Sequence, residues 1–249
     1  MILTDLHVHS TFCDGKNSPE ELVLAAIKKG INKLGILAHS YMVGEEDCSL
    51  TPSKEQEFID EIYALKQKYG DKIEVLCGLE QDIYSKPASK SFDYLIGSVH
   101  NFSKGDKKMP IDYSEERYHN AVKEFFDGDY LAAAEAYFAD VARVIEVTNA
   151  DIIGHFDLIT KYNGQNKYFD TANPRYICAY KKAVDKLVKS GKPFEINTGV
   201  IYRGYQSHPY PSLDIIEYIK SVGGKFVLSS DAHCKEALCF EFDKWQKLL

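Results

Sequence analysis

Apolar residues recur along the chain in two alternating patterns. Short apolar runs, typical of parallel strands covered on both faces, are separated by stretches with an apolar residue every three or four positions. The runs are Ile2–Leu6, Leu34–Leu37, Ile73–Leu79, Tyr94–Val99, Asp151–Gly154, Phe194–Ile196 and Phe226–Leu228. This alternation predicts a parallel sheet with helices outside it. Seven strands without a glycine-rich dinucleotide fingerprint favour a closed α/β barrel over an open, doubly wound sheet.

Four helices are indicated by the residues at their ends. The first begins at Ser18–Glu21, which fits a capping box with Pro19 at the first helical position, and it stops at Gly30. The others extend from Thr51-Pro52 to Gly70, from Asn173-Pro174 to Gly191, and over Ile215–Val222 to a stop near Gly223.

The segment Phe102–Ala150 is longer than one strand-to-strand crossover requires. It contains a polar stretch, Ser103–Asp112, which predicts a loop. Two helical patterns follow, at about Glu115–Phe126 and Tyr130–Val144. We interpret the segment as an insertion near the mouth of a site.

Composition and charge limit the possible partners. The 249 residues suit a single domain over residues 1–249, and 45% apolar with 27% charged residues matches an ordinary globular protein without a membrane span. The net charge of −7, from 30 basic and 37 acidic residues, argues against nucleic acid or anionic lipid as a partner. A small anionic substrate would need local positive charge, which bound metal ions can supply.

The cysteines and the first residues of the sequence bear on the cellular compartment in which the protein works. Six cysteines lie scattered without a C-x-x-C pair, which predicts free thiols and gives no sign of a zinc ribbon or a redox motif. Asp5, His7 and His9 interrupt the early apolar run, so no secretory signal is indicated. We expect a cytoplasmic protein, and the sequence leaves its oligomeric state open.

Potential metal ligands follow the apolar strands at six places. They are His7, His9 and Asp14 after the first strand, His39 after the second, Glu80 at the third, His100 after the fourth, His155 after the fifth, and Asp231 and His233 after the last. In a parallel barrel the carboxyl ends of the strands converge on one face, so these side chains should meet there. Carboxylates and imidazoles suit zinc, iron or manganese.

Each of these residues has a simpler interpretation when it is taken alone. A single histidine after a strand is more often a hydrogen-bonding residue at a barrel mouth than a ligand. Imidazoles and carboxylates crowded together without a cation would be costly, so the set as a whole indicates a metal centre. His119 is expected on the surface, and His208 either lines the substrate pocket or faces water. Cys13 and Cys234 are expected to pack rather than to bind metal.

Seven ordered motifs carry a family resemblance. They are Asp5–Ser10 with Asp14-Gly15, Ala38–Ser40, Gly78–Glu80, Gly97–His100, Gly154–Leu158, Glu195–Gly199 and Ser229–His233. Through them the sequence resembles the polymerase and histidinol phosphatase (PHP) family, and within it the histidinol-phosphate phosphatases. The resemblance implies a distorted (β/α)7 barrel of the TIM-barrel type with two or three divalent metal ions.

The resemblance also implies which residues hold each metal. His7, His9, Glu80 and Asp231 would hold the first ion. Glu80, His100 and His155 would hold the second, with Glu80 bridging. Asp14, His39 and His233 would hold the third, and many relatives carry histidine where this chain has Asp14.

The implied reaction is metal-dependent hydrolysis of L-histidinol phosphate to L-histidinol and phosphate, a step of histidine biosynthesis. As a hypothesis, Arg203 and Lys161 bind phosphate oxygens while Asp231 or His233 protonates the leaving oxygen. Asn101 is a further candidate phosphate contact. Three alternatives stay open: a phosphatase for a nucleotide or another small phosphate ester, a metal-dependent amidohydrolase, and a metal-binding module without catalysis.

Overall fold

Seven parallel strands form one sheet around the core of the protein. A computed structural model describes residues 3–87 and 91–249, so Ile2, with which we began the first predicted strand, lies outside the described residues. In the described part the strands are β1 (Thr4–His9), β2 (Lys33–Leu37), β3 (Glu74–Asp82), β4 (Tyr94–Ser98), β7 (Ile152–Ile153), β8 (Phe194–Asn197) and β9 (Phe226–Ser229). Their order in the sheet is the order along the chain, and every adjacent pair is parallel.

The sheet curves round until its two edges meet at the carboxyl ends of the strands. Val8 of β1 pairs in parallel with Ala232, which follows β9. The backbone N–H of His9 donates to the carbonyl of Ala232 at 2.8 Å, and the N–H of Ala232 donates to His7 at 3.1 Å. The fold is therefore a nearly closed (β/α)7 barrel, which confirms the predicted fold class.

The helices surround the barrel. They are α1 (Pro19–Lys28), α2 (Glu55–Tyr69), α3 (Glu115–Phe126), α4 (Tyr130–Val141), α5 (Val144–Thr148), α6 (Pro174–Leu187), α7 (Gly199–Tyr202), α8 (Leu213–Ser221) and α9 (Phe242–Trp245). The capping box of α1 is confirmed, since Ser18 accepts from the N–H of Glu21 and the Glu21 side chain accepts from the N–H of Ser18. None of the helices in the described residues is both long and apolar enough for a membrane span.

The predicted start of the second helix is wrong by a few residues. Thr51-Pro52 opens a turn, closed by the N–H of Lys54 donating to Thr51, and α2 starts only at Glu55. The third predicted start is confirmed, because the Asn173 side chain caps α6 at the N–H of Arg175 and Pro174 is its first residue.

The insertion contains more regular structure than the sequence predicted. The stretch expected to be a loop, Ser103–Asp112, is largely an antiparallel hairpin of β5 (Asn101–Lys104) and β6 (Lys107–Pro110). The helix expected over Tyr130–Val144 divides into α4 and α5. Phe138 of α4 packs edge-on against Tyr176 of α6, so the insertion shares the main hydrophobic core.

A tyrosine fills the interior of the barrel below the site. Tyr94 of β4 is buried, and its hydroxyl donates to the carbonyl of Leu6 at 2.6 Å. Gly35 of β2 and Gly78 of β3 flank the ring, where a Cβ atom would lie 2.1 Å and 2.4 Å from the nearest ring or hydroxyl atom. Both positions need glycine because the phenol occupies that space.

Candidate metal centre

Glu80 is the centre of the candidate site. It lies near the end of β3 and is 1% exposed. Its two carboxylate oxygens lie within 3.5 Å of a ring nitrogen of each of five histidines: His7, His9, His39, His100 and His155. Ser98 of β4 donates to Oε1 at 2.6 Å and so fixes the rotamer of the carboxylate. Glu80 is therefore placed to bridge two cations.

His7 and His9 provide the test of whether these residues fit a metal ion. They are two positions apart on β1, so both side chains lie on the same face of the strand, toward the barrel interior, and both are fully buried. Among the described residues, His7 Nε2, His9 Nε2 and Glu80 Oε2 are buried without a hydrogen-bond partner. Three orphaned polar atoms that converge in one place would be costly in an empty, purely structural site. These three atoms therefore fit a divalent cation, which would give each of them a partner.

Asp231 faces the same point from the other edge of the sheet. Its Oδ1 lies 3.6 Å from His7 Nε2 and 3.5 Å from His9 Nε2. The residue has φ = 48°, a left-handed conformation that aspartate tolerates better than most side chains. Buried Asp5 holds the preceding Ser230 through both its N–H and its hydroxyl, which stabilises this turn.

A second group of ligand atoms lies toward the solvent. The carboxylate of Asp14 approaches His39 Nε2 at 3.5 Å and His233 Nε2 at 3.2 Å. Their side chains are 36%, 23% and 26% exposed, whereas His7 and His9 are inaccessible. Substrate can therefore reach the site from the side of Asp14, His39 and His233.

All nine predicted ligands meet at one end of the barrel. Within the described residues, three groups of ligand atoms, each group within 4.8 Å, could hold an ion: His9, Asp14, His39 and His233; His7, His9 and Glu80; and His39, Glu80 and His100. The third group differs from the predicted second set, which paired Glu80 and His100 with His155. His155 Nε2 nevertheless lies 2.8 Å from Glu80 Oε1 and 3.2 Å from His100 Nε2. The assignment of ligands to individual ions stays a prediction.

Mutual electrostatics set the charges of these groups. Burial alone would lower the pKa of His7, but Glu195, Glu80 and Asp231 outweigh it and raise the pKa well above its usual value. Burial together with His233 and His39 lowers the pKa of His9 to about 3. Burial opposes ionisation of Glu80, yet the surrounding histidines hold its pKa well below the usual value. His9 is thus a neutral imidazole with a lone pair available for a metal.

Metal binding should become tighter as pH rises. Burial lowers the pKa values of His39 and His100, but contacts with Asp14, Glu80 and Asp82 raise both well above 6.5, as for His7. These three imidazoles are protonated on both ring nitrogens at neutral pH, so an ion must displace one proton from each histidine that it binds. We expect weaker zinc affinity at pH 6 than at pH 8, with protons released on binding. Calorimetry in buffers of different ionisation enthalpy measures this release, and a pH-independent affinity would contradict the expectation.

Arg203 lies at the site but pairs with a proposed ligand. It follows α7, and its Nη2 donates to Asp231 Oδ2 at 2.8 Å while Nη1 donates to the Asp231 carbonyl at 3.1 Å. Asn197 also donates to Oδ2, at 3.3 Å. Asp231 Oδ2 is therefore held by the protein, and Oδ1 faces His7 and His9.

Lys161, another predicted substrate contact, lies on the rim of the site. Lys161 donates to the carbonyl of Asp112 at 2.6 Å and lines a surface cleft with Tyr162 and Tyr205. Burial opposes ionisation of Asp112, but the charges of Lys161 and then His100 lower its pKa. Asp112 thus interacts both with Lys161 on the rim and with a proposed metal ligand.

Asn101 and His208, the remaining predicted substrate contacts, stay predictions, and His119 and Cys13 were expected not to bind metal. Asn101 is buried with its Nδ2 on Met42 Sδ at 3.4 Å, so its amide hydrogen bond points into the protein. His208 Nδ1 lies 3.0 Å from the carbonyl of Pro209. His119 lies on the surface, as predicted, against the hydroxyl of Tyr130. Cys13 Sγ lies 3.4 Å from His9 Nδ1, and the cysteines in the described residues are free thiols, as predicted.

Two carboxylates that orient the histidines were missed as site residues. Glu195 of β8 lies 2.5 Å from His7 Nδ1, and Asp82 of β3 lies 3.1 Å from His100 Nδ1. Metal-binding histidines usually hydrogen-bond through the second ring nitrogen to such a group. Glu195 had a signal in the sequence, since a charged residue inside the short apolar run Phe194–Ile196 must be buried and therefore needs partners.

The fold and the site define a barrel protein whose strand ends can hold several divalent cations. The chain belongs to the PHP domain family, whose model matches residues 5–199. A "Probable histidinol-phosphatase" of Deinococcus radiodurans is 28% identical, and the alignment covers 96% of this chain and 90% of the relative. The "Histidinol-phosphatase" of Lactococcus lactis is 29% identical, with coverage of 92% and 83%.

Two crystal structures resemble the whole barrel. A Listeria monocytogenes protein has a TM-score of 0.85 at 20% identity, covering 97% of this chain and 99% of that one, which supports the fold. Histidinol phosphate phosphatase from Lactococcus lactis has a TM-score of 0.75 at 25% identity, covering 99% of this chain and 92% of that one. That structure is a complex with zinc, L-histidinol and phosphate.

Proposed function

We propose that this chain is a metal-dependent phosphomonoesterase that hydrolyses L-histidinol phosphate to L-histidinol and phosphate. The observation that carries the proposal is the placement of Glu80 among five imidazoles, with unpartnered His7 and His9 nitrogens beside it and an open side at Asp14 and His233. The relatives and the zinc complex from Lactococcus lactis support this substrate and metal.

The proposed ligands are His7, His9, Asp14, His39, Glu80, His100, His155, Asp231 and His233. Bound divalent ions would activate water for attack on phosphorus and neutralise phosphate charge. Burial opposes ionisation of Asp231, but Arg203 and His7 lower its pKa well below the usual value. Asp231 therefore cannot serve as a proton donor at neutral pH. Of the two predicted donors we keep His233, which could protonate the leaving oxygen only in a state in which its Nε2 is not bound to an ion.

Arg203 and Lys161 are the cationic side chains that we assign to the phosphate. Arg203 is 28% exposed on its side chain, so it can reach a bound anion while it keeps its contact with Asp231. Lys161 stands on the rim beside Asp112. Their charges would orient the phosphate oxygens, a role in which a planar guanidinium can bind two oxygens together.

Replacement of Arg203 by alanine should raise KM for the phosphorylated substrate by about tenfold, because a charge-assisted hydrogen bond contributes about 1.5–3 kcal/mol. Loss of the contact with Asp231 should also weaken metal retention slightly. Steady-state kinetics and elemental analysis on the same preparation measure the two effects. Arg203→Lys, which keeps the charge but loses the fork, should be intermediate. Unchanged kinetics in Arg203→Ala would remove the arginine from the mechanism.

Phosphate-release assays on protein purified with zinc, manganese and iron supplied test the proposed activity. We expect kcat/KM for L-histidinol phosphate to exceed that for a mononucleotide by about 100-fold. A preference for the mononucleotide would replace the substrate but keep the reaction class. Cleavage of an amide without phosphatase activity would overturn the proposal.

A further inference from the structure

Glu195 is the most fully bonded carboxylate beside the site. It lies on β8, the strand that supplies none of the proposed ligands, and it is fully buried. Four donors reach it: His7 Nδ1 at 2.5 Å and the Ser229 hydroxyl on Oε1, and the N–H of His155 at 2.7 Å and the Asn197 amide at 3.0 Å on Oε2. A carboxylate offers about four lone-pair positions, so these donors saturate it.

We propose that Glu195 is a positioning residue that fixes two metal ligands, His7 and His155, without binding metal itself. The inference rests on the metal site proposed above. Saturation by protein donors leaves Glu195 no lone pair for a cation. Its charge and geometry act on the ions only through the residues that it holds.

The first effect is on the tautomer of His7. An ionised carboxylate only accepts hydrogen bonds, so the proton of the His7 ring must be on Nδ1. The opposite nitrogen, Nε2, lies 3.3 Å from Glu80 Oε2 and 3.6 Å from Asp231 Oδ1, and it is the nitrogen that loses its proton when an ion binds. The ring therefore needs no change of tautomer or orientation to become a ligand.

The second effect is on the position of His155. Oε2 accepts the backbone N–H of His155, which follows the short strand β7. This bond fixes the residue whose Nε2 lies 2.8 Å from Glu80 Oε1. One carboxylate thus sets the separation of ligands on both sides of Glu80.

Glu195→Gln tests this role with almost no change of shape. The amide NH₂ group must face donors whichever way it is turned. Facing His7, it would force the ring proton onto Nε2 and block the metal. Facing His155, it would meet the backbone N–H. We expect zinc affinity, measured by competition with a chelator, to fall about 10- to 100-fold, which is the usual effect of losing such a partner.

Asp93→Asn is the matched control. It makes the same carboxylate-to-amide change just before β4, where Asp93 accepts from the N–H of Cys77 at the opposite end of the barrel. Its zinc affinity should equal that of the parent. Thermal unfolding in chelator shows whether each variant folds. A folded Glu195→Gln protein with parental zinc affinity would overturn the inference.

His7→Ala separates this inference from the metal site on which it rests. If His7→Ala binds zinc as tightly as the parent, the metal site itself is wrong. If His7→Ala loses zinc and Glu195→Gln does not, only the role of Glu195 is wrong. Imidazole ¹⁵N NMR of the zinc-loaded parent gives a test that needs no variant: His7 must carry its hydrogen on Nδ1, and a hydrogen on Nε2 would contradict the proposal.

Discussion

Replacement of Glu80 by glutamine should lower kcat/KM by at least about 10³-fold, since bound metal supplies several kcal/mol of transition-state stabilisation and each 1.36 kcal/mol is a factor of ten. The expected loss is large because Glu80 touches five histidines at once. A neutral amide keeps the shape but removes the charge that balances both the imidazoles and the ions. Phosphate release and elemental analysis of the purified variant measure the effect.

Glu74→Gln is the control for this change. Glu74 lies on the same strand, β3, but at its amino end, where it is exposed and pairs with Lys33 at 3.0 Å. Surface pairs of this kind contribute little, so activity and metal content should remain those of the parent. If the Glu80→Gln variant kept half of the parent's activity with a full metal complement, the central role assigned to this carboxylate would be wrong.

Replacement of Gly35 by alanine should lower the free energy of unfolding by about 3 kcal/mol, at the upper end of the usual cost of overpacking. The new Cβ would lie 2.1 Å from the Tyr94 hydroxyl, 2.8 Å from its ring and 3.0 Å from the Leu6 backbone. The ring has little room to move, because it also lies against Gly78, where a Cβ atom would be 2.4 Å from Tyr94 Cζ. For a chain of this length, the melting temperature should fall by roughly 6–12 °C.

Chemical denaturation of two further variants checks the cause. Gly164→Ala places a Cβ no closer than 3.7 Å to a neighbour and should leave stability near that of the parent. In a Tyr94→Phe background the nearest atom is removed, so Gly35→Ala should cost less than it does alone. Equal costs in both backgrounds would mean that Tyr94 is not the obstacle.

The strands and the ligand positions could be predicted from sequence because both depend on local pattern. Strand ends in a parallel barrel converge by topology, so His39 and His155 could be placed together although they lie far apart in the sequence. The capping box of α1 was equally local. These features need no knowledge of how distant side chains pack.

The hairpin and the supporting carboxylates depend on tertiary contacts. In β5 and β6 most residues are polar, and only Phe102 and Met109 mark the face that packs inward, so the pattern resembled a loop. Asp82 lies two residues after Glu80 on one strand, yet its partner, His100, follows the next strand of the sheet. Which nitrogen of a histidine is held, and by which acid, follows from side-chain geometry that periodicity does not encode.

The closure of the barrel between Val8 and Ala232 has a consequence for biogenesis. A nascent chain that has been synthesised only as far as about position 230 contains His7 and Glu80 but lacks Asp231 and His233. High-affinity cation capture should therefore be a late event during translation, coupled to cooperative folding of the whole domain rather than to any fragment. Cellular metal supply would then act on the yield of mature protein as well as on its turnover rate.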